Sequence, residues 1–126
     1  MKSQDKGGMR IVKAFGYSWN GFVSAWKSEV AFRQDMFVFV LGTILLFFLP
    51  VSLIEILFLW GSLAFILFAE LVNTAIETVV DRISDDYHLL SKKAKDIGSL
   101  LVCLSCMYAF VVWALIVLPI VYKMLS

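Results

Sequence analysis

Glu70, Asn73, Glu77 and Asp81 follow one another at spacings of three, four and four residues, in a stretch that continues without a turn signal from the apolar run LFLWGSLAFILF. That rhythm places all four on one side of an α-helix. An ionisable side chain at membrane depth is costly unless it meets a partner, an ion or water, so carboxylates there mark function. Asn73 alone would suit a polar contact that only holds helices together, but two glutamates on one stripe repel each other without a cation. Glu77 lies about two turns, roughly 10 Å, closer to the cytoplasmic surface than Glu70. Two depths predict two roles.

The next segment, DRISDDYHLLSKKAKDIGS, gathers Asp81, Asp85, Asp86, His88, Lys92, Lys93, Lys95 and Asp96. Oxygen ligands for magnesium beside ammonium groups for phosphate are what a nucleotide needs, although a solvated loop has the same mixture. The chain contains neither GxxxxGK[ST] nor GxGxxG, so side chains and metal, not a glycine-rich loop, must hold any phosphates. Cys103 and Cys106 form a C-x-x-C inside an apolar run without other soft ligands, which predicts buried packing and not metal or redox chemistry.

The elements that must carry these residues follow from composition. Of 126 residues, 61% are hydrophobic and 17% charged. A single domain of this size cannot enclose so much apolar surface, which makes the chain a membrane protein. The basic N-terminus is followed by an amphipathic stretch rather than a compact apolar core, so no cleavable targeting segment is expected. Ile11, Phe15, Trp19, Phe22 and Trp26 alternate at spacings of four and three, opposite Arg10, Lys13, Tyr17, Asn20, Ser24 and Lys27. This predicts a surface helix over about residues 8–28, in the membrane interface or packed on the protein's own spans.

Three spans are expected, over about residues 34–54, 56–82 and 95–123. The first is bounded by Asp35 and Glu55 and long enough to cross ~30 Å of hydrocarbon. The second is uncharged only over 56–69, so it must continue through Glu70 to cross. The third ends on the anchor pair Tyr122 and Lys123. Lys2, Lys6, Arg10, Lys13, Lys27 and Arg33 precede the first span, Arg82, Lys92, Lys93 and Lys95 lie between the second and third, and no basic residue lies between the first two. The N-terminus is therefore expected in the cytoplasm and the C-terminus outside it.

AELVNTAIETVVDRI followed by YH and AKDIGS, with GYSW and SEVAFRQ upstream, resembles the prokaryotic diacylglycerol kinase family over nearly the whole chain. GYSWNG, AFRQ and KDIGS look more like the Gram-negative branch than the undecaprenol kinase branch. The resemblance implies an all-α integral membrane homotrimer of a bacterial inner membrane, with sites shared between subunits and a periplasmic C-terminus. It implies transfer of the γ-phosphoryl group of ATP, with Mg2+ as cofactor, to the hydroxyl of diacylglycerol, giving phosphatidic acid. No nucleic-acid partner is expected.

By that resemblance Glu70 matches the catalytic base, Glu29 and Glu77 the metal ligands that also meet ATP, and Asn73 a supporting polar residue between the two glutamates. Arg10, Tyr17, Asp86, Tyr87, His88, Lys95 and Asp96 match nucleotide contacts, with Lys95 on phosphate and Asp96 orienting it or the metal. Substrate contacts map onto Arg10, Ala14, Phe15, Gly16, Tyr17, Ser18 and Trp19, then Val23, Ser24, Ala25 and Trp26. They continue through Ala31, Phe32, Arg33, Gln34 and Asp35 to Glu70, Ser99 and Trp113. Ile56 stands where the family pattern leads one to expect a basic residue. A small proton-coupled transporter, with Glu70 as its ion site, would leave Glu29, Glu77 and the Lys95-Asp96 pair without work, and a purely structural subunit would explain none of them.

Overall fold

The computed structural model describes residues 6–126; Lys2, counted above among the cytoplasmic basic residues, lies outside them. Every regular element in that range is an α-helix: α1 Gly8–Ser28, α2 Val30–Leu46, α3 Leu53–Ile83 and α4 Leu89–Leu125. By length and apolar character α3 and α4 suffice to cross a membrane, and α2, at 17 residues, is shorter. At ~1.5 Å per residue α2 spans about 26 Å.

α1 covers the range expected for the surface helix. Its aromatic stripe is continuous, with Phe22 stacked between Trp19 at 5.6 Å and Trp26 at 6.0 Å between ring centroids. Phe22 also meets the edge of Phe32 on α2 at 5.8 Å, where Phe32 is only 1% exposed. The C-terminal half of the surface helix is thus fastened to the protein, while Ile11 and Phe15 stay exposed. α1 and α2 are separated by Glu29 alone, whose extended backbone ends one helix and starts the next. Arg33 holds that corner: its guanidinium donates to the carbonyls of Trp26 at 2.6 Å and Lys27 at 3.3 Å, which a helix end would otherwise leave unpaired.

α2 stops at Leu46, short of the expected Ile54. Phe47 and Phe48 close a tight turn through their backbone N–H groups to Ile44 and Leu45. Pro50, which has no N–H and disfavours helical backbone at the residue before it, prevents the helix from resuming. α3 then begins with a capping box: Ser52 Oγ accepts from the Glu55 N–H at 3.2 Å, and Glu55 accepts from the Ser52 N–H at 3.0 Å. Glu55 serves this helix start.

α3 continues unbroken to Ile83, carrying the whole Glu70-to-Asp81 stripe. Only residues 84–88 separate it from α4, which starts earlier than the expected residue 95 because His88 caps it, Nδ1 accepting the Leu90 N–H at 3.0 Å. Lys92, Lys93, Lys95 and Asp96 are consequently helical residues, not loop residues.

α3 and α4 form the main helix pair, with α2 against α3. At their outer end Leu46, Leu59 and Val112 form a core joined by Ile56, Trp113 and Ile116. Small residues allow close approach: Ser62 and Ser105, 1% and 0% exposed, satisfy their hydroxyls on the carbonyls of Leu59 and Val102. Elsewhere large apolar side chains such as Phe37, Phe68, Phe110 and Leu115 point outward, as lipid-facing helices require.

Candidate active site

Glu70 is 7% exposed and lies on α3 where α2 passes. The carboxyl of Asp35 on α2 lies beside it, and Asp35, Glu77 and Glu29 surround it with negative charge. One turn beyond Glu70, the side-chain amide of Asn73 donates from Nδ2 to Glu77 Oε1 at 3.3 Å. Among the described residues Asn73 Oδ1 is buried with no hydrogen-bond partner. It faces Gly98 of α4, where an added Cβ would overlap it. Glu29, at the break between α1 and α2, contributes its charge from a backbone free of helical constraint.

This donor set consists of hard oxygens: two carboxylates and an amide oxygen lacking a partner. Among the described residues no three acidic, histidine or cysteine side chains close into a cage. Magnesium does not need one, since it binds through one or two carboxylates and completes its shell with water and substrate phosphates. The residues therefore fit that ion.

Farther along α3, Asp81 Oδ1 and Lys95 Nζ form an ion pair at 2.7 Å, and on α4 Lys92 Nζ pairs with Asp96 Oδ2 at 2.6 Å. The expected coupling of Asp96 to Lys95 is thus replaced by two others. Asp96 and Lys92 stand four apart on one helix face, whereas Lys95 turns toward α3. These pairs border a cleft of about 450 Å³ that also contains Asp86, Tyr87 and His88. Asp86 is held by its backbone N–H on Ser84 Oγ at 3.0 Å. Five of the nine expected nucleotide contacts therefore meet in this cleft; Glu29 and Glu77 are not in its lining, and Arg10 and Tyr17 are exposed on α1, away from it.

The expected substrate contacts divide similarly. Ser18, Ser24 and Ala25 line a groove of about 390 Å³ between α1 and α3, opposite Leu71, Thr74 and Thr78. Val23 is half-buried, while Ala14, Phe15, Gly16, Trp19, Trp26, Ala31, Gln34 and Ser99 remain exposed. Phe32 and Arg33 hold the α1–α2 corner. Trp113 lies in the outer core, its indole N–H donating to Leu59 O at 3.2 Å and Ser62 Oγ at 3.1 Å, so packing accounts for it. Ile56 packs in the same core, and an apolar residue is what that position requires. Cys103 and Cys106 are exposed free thiols, contrary to the expected burial, because they stand off the strip of Gly98, Ser105, Ala109 and Val112 that α4 buries.

Sequence reasoning missed Gly98 and the approach of Asp35 on α2 to Glu70 on α3. A glycine inside an otherwise helical run was the available signal for the first; the second joins residues far apart in the chain and had none.

A model of the family described as prokaryotic diacylglycerol kinase matches residues 16–117. The diacylglycerol kinase of Escherichia coli strain K12 is 40% identical over 116 residues, 92% of this chain and 95% of that protein. That of Pseudomonas aeruginosa is 41% identical over 109 residues, covering 86% and 89%, and that of Haemophilus influenzae 40% over 103 residues, covering 82% and 87%. The matched region contains the α3 stripe, the α3–α4 connection and the ion pairs at the cleft, and on these grounds the chain belongs to the prokaryotic diacylglycerol kinase family.

Proposed function

We propose that this diacylglycerol kinase moves the γ-phosphoryl group of ATP to the hydroxyl of diacylglycerol, with Glu70 as the base, in a bacterial inner membrane. The observation that carries the reading is the continuity of α3: one helix face runs from the buried Glu70, through Asn73 and Glu77, to the Asp81–Lys95 pair at the cleft. From Glu70 to Asp81 is about 16 Å along the helix at ~1.5 Å per residue. A lipid acceptor approaches from the apolar end and a nucleotide from the polar end, so the two substrates meet along the stripe.

In this reaction Glu70 takes the proton of the lipid hydroxyl as that oxygen forms a bond to the γ-phosphorus. The bond from phosphorus to the bridging oxygen breaks, and ADP leaves. Glu77, Glu29 and Asn73 Oδ1 would hold magnesium, which when bound offsets the charge of the nucleotide phosphates. Lys95 supplies an ammonium group to phosphate, exchanging Asp81 for a stronger anion. Asp86, Tyr87, His88 and Asp96 line the nucleotide's side of the cleft.

The reading includes α2 as a third span, completed by the apolar residues after Leu46, with the N-terminus cytoplasmic and the C-terminus periplasmic. It also includes a homotrimer. The exposed segment of α1 from Arg10 to Tyr17 lies outside its own chain's cleft, and we assign it to the Glu70-to-Asp81 stripe of a neighbouring subunit.

The test is acceptor choice. Purified protein with MgATP and a short-chain diacylglycerol is expected to form phosphatidic acid, and to phosphorylate undecaprenol more slowly under matched conditions. Faster phosphorylation of undecaprenol would replace diacylglycerol as the acceptor; no transfer to either lipid would leave Glu70 to the ion-site reading.

A further inference from the structure

Glu29 is the joint between two helices, and a neighbouring side chain locks it. Its backbone is extended, at φ −116° and ψ 106°, so rotation about those two bonds swings α1 against α2. The Glu29 N–H donates to Ala25 O at 2.9 Å and completes α1, while the Glu29 carbonyl accepts from the Arg33 N–H at 3.3 Å and opens α2. Each of these bonds belongs to a single helix. Neither fixes the angle between the two.

The Arg33 guanidinium does. From the start of α2 it reaches back over the break and donates from Nη1 to Trp26 O at 2.6 Å and Lys27 O at 3.3 Å. Nη1 carries two N–H groups, which these two carbonyls occupy. The donors of a planar guanidinium are fixed relative to one another, so bonds to two successive carbonyls constrain orientation as well as distance. The edge contact of Phe22 with Phe32 crosses the same break, with 5.8 Å between ring centroids, and keeps the two helices packed there.

The joint residue is also one of the carboxylates read above as a magnesium ligand. Its side chain leaves the backbone in a direction set by the same two rotations that Arg33 locks, and magnesium demands near-ideal octahedral geometry from its ligands. We propose that Arg33 is a positioning residue for the metal site: by clasping the end of α1 to the start of α2 it fixes the backbone of Glu29 and so the direction in which Glu29 presents its carboxylate to the ion. This rests on the reading of Glu29 as a magnesium ligand. It differs from a lipid contact made by Arg33, because the consequence falls on metal affinity and not on lipid affinity.

The experiment takes wild type, Arg33→Met, Glu29→Ala and the double variant in one detergent and measures two quantities. One is Mn2+ affinity at equilibrium without nucleotide or lipid acceptor, read from the loss of the free ion's paramagnetic resonance signal. The other is the magnesium concentration giving half-maximal phosphatidic acid formation. Methionine keeps an aliphatic stem but donates no hydrogen bond. Loss of the partner that orients a metal ligand weakens metal binding about 10- to 100-fold. Arg33→Met is therefore expected to weaken Mn2+ binding and to raise the half-maximal magnesium concentration at least about tenfold, with KM for diacylglycerol within about twofold. Because Arg33 acts through Glu29, the same substitution should change either metal quantity by less than about twofold once Glu29 is alanine. The proposal is overturned if Arg33→Met leaves either metal quantity within about twofold of wild type, if the loss resides in KM for diacylglycerol, or if the effects of the two substitutions multiply. Should Arg33→Met not fold, Arg33→Lys, whose ammonium does not reproduce the planar fork, stands in for it under the same criteria. Unaltered metal dependence in Glu29→Ala refutes the reading of Glu29 as a ligand, whereas an altered Glu29→Ala beside an unaffected Arg33→Met refutes only the role of Arg33.

Discussion

Replacing Gly98 by alanine adds one methyl group at the point where α4 lies closest to the functional stripe. The new Cβ would overlap Asn73 Oδ1 and stand 3.3 Å from Asn73 Cγ and 3.7 Å from its Cα. The amide cannot swing aside freely, because its Nδ2 is bonded to Glu77. The overlap is relieved either by breaking the hydrogen bond to the charged group, at about 1.5–3 kcal/mol, or by prising the helices apart, at a similar ~1–3 kcal/mol. Alanine returns up to about 1 kcal/mol through its better helix propensity. The net expectation is about 1–2 kcal/mol of lost stability. Because the group that gives way is Asn73, kcat should fall by at least about tenfold. Unfolding in mixed micelles titrated with a denaturing detergent measures the first, and phosphatidic acid formation the second. An Asn73→Ala background removes the obstructing amide, so there Gly98→Ala should cost little further stability. Wild-type stability and turnover in Gly98→Ala, or an equal stability cost in both backgrounds, would refute the assigned contact.

Lys95→Met removes the ammonium group now paired with Asp81 while keeping the aliphatic stem; KM for MgATP should rise at least about tenfold with the unfolding midpoint unchanged, and an unaltered KM would take Lys95 off the phosphate. Glu77→Gln and Glu29→Gln each remove a carboxylate oxygen and should raise the magnesium concentration needed for half-maximal activity; unchanged dependence in both would remove them from the metal site.

The stripe on α3 was legible because helical spacing alone puts Glu70, Asn73, Glu77 and Asp81 on one face, and nothing in the intervening residues breaks the helix. The surface helix was legible for the same reason. The end of α2 was harder to read, since Phe47, Phe48 and Leu49 are as apolar as a span requires and only Pro50 marks the stop. The early start of α4 was hidden because its cap is a histidine, whose ring nitrogen does the work usually read from serine, threonine, asparagine or aspartate. Charge pairing was least legible: neighbours in sequence, Lys95 and Asp96, point to different partners because successive helical residues do not share a face. The meeting of Asp35 with Glu70 depends on how α2 crosses α3, which no local pattern encodes.

The central claim, that Glu70 acts in the chemical step on a lipid hydroxyl, is tested most directly by pairing two readings on Glu70→Gln in detergent. One is transfer of label from γ-labelled MgATP into phosphatidic acid; the other is MgATP binding at equilibrium. Glutamine keeps the size and polarity of the side chain but cannot take the proton. The account predicts that transfer is lost while MgATP affinity stays within about threefold of wild type. Retained transfer would contradict it, and lost nucleotide binding would move Glu70 from the chemical step into the metal and nucleotide site.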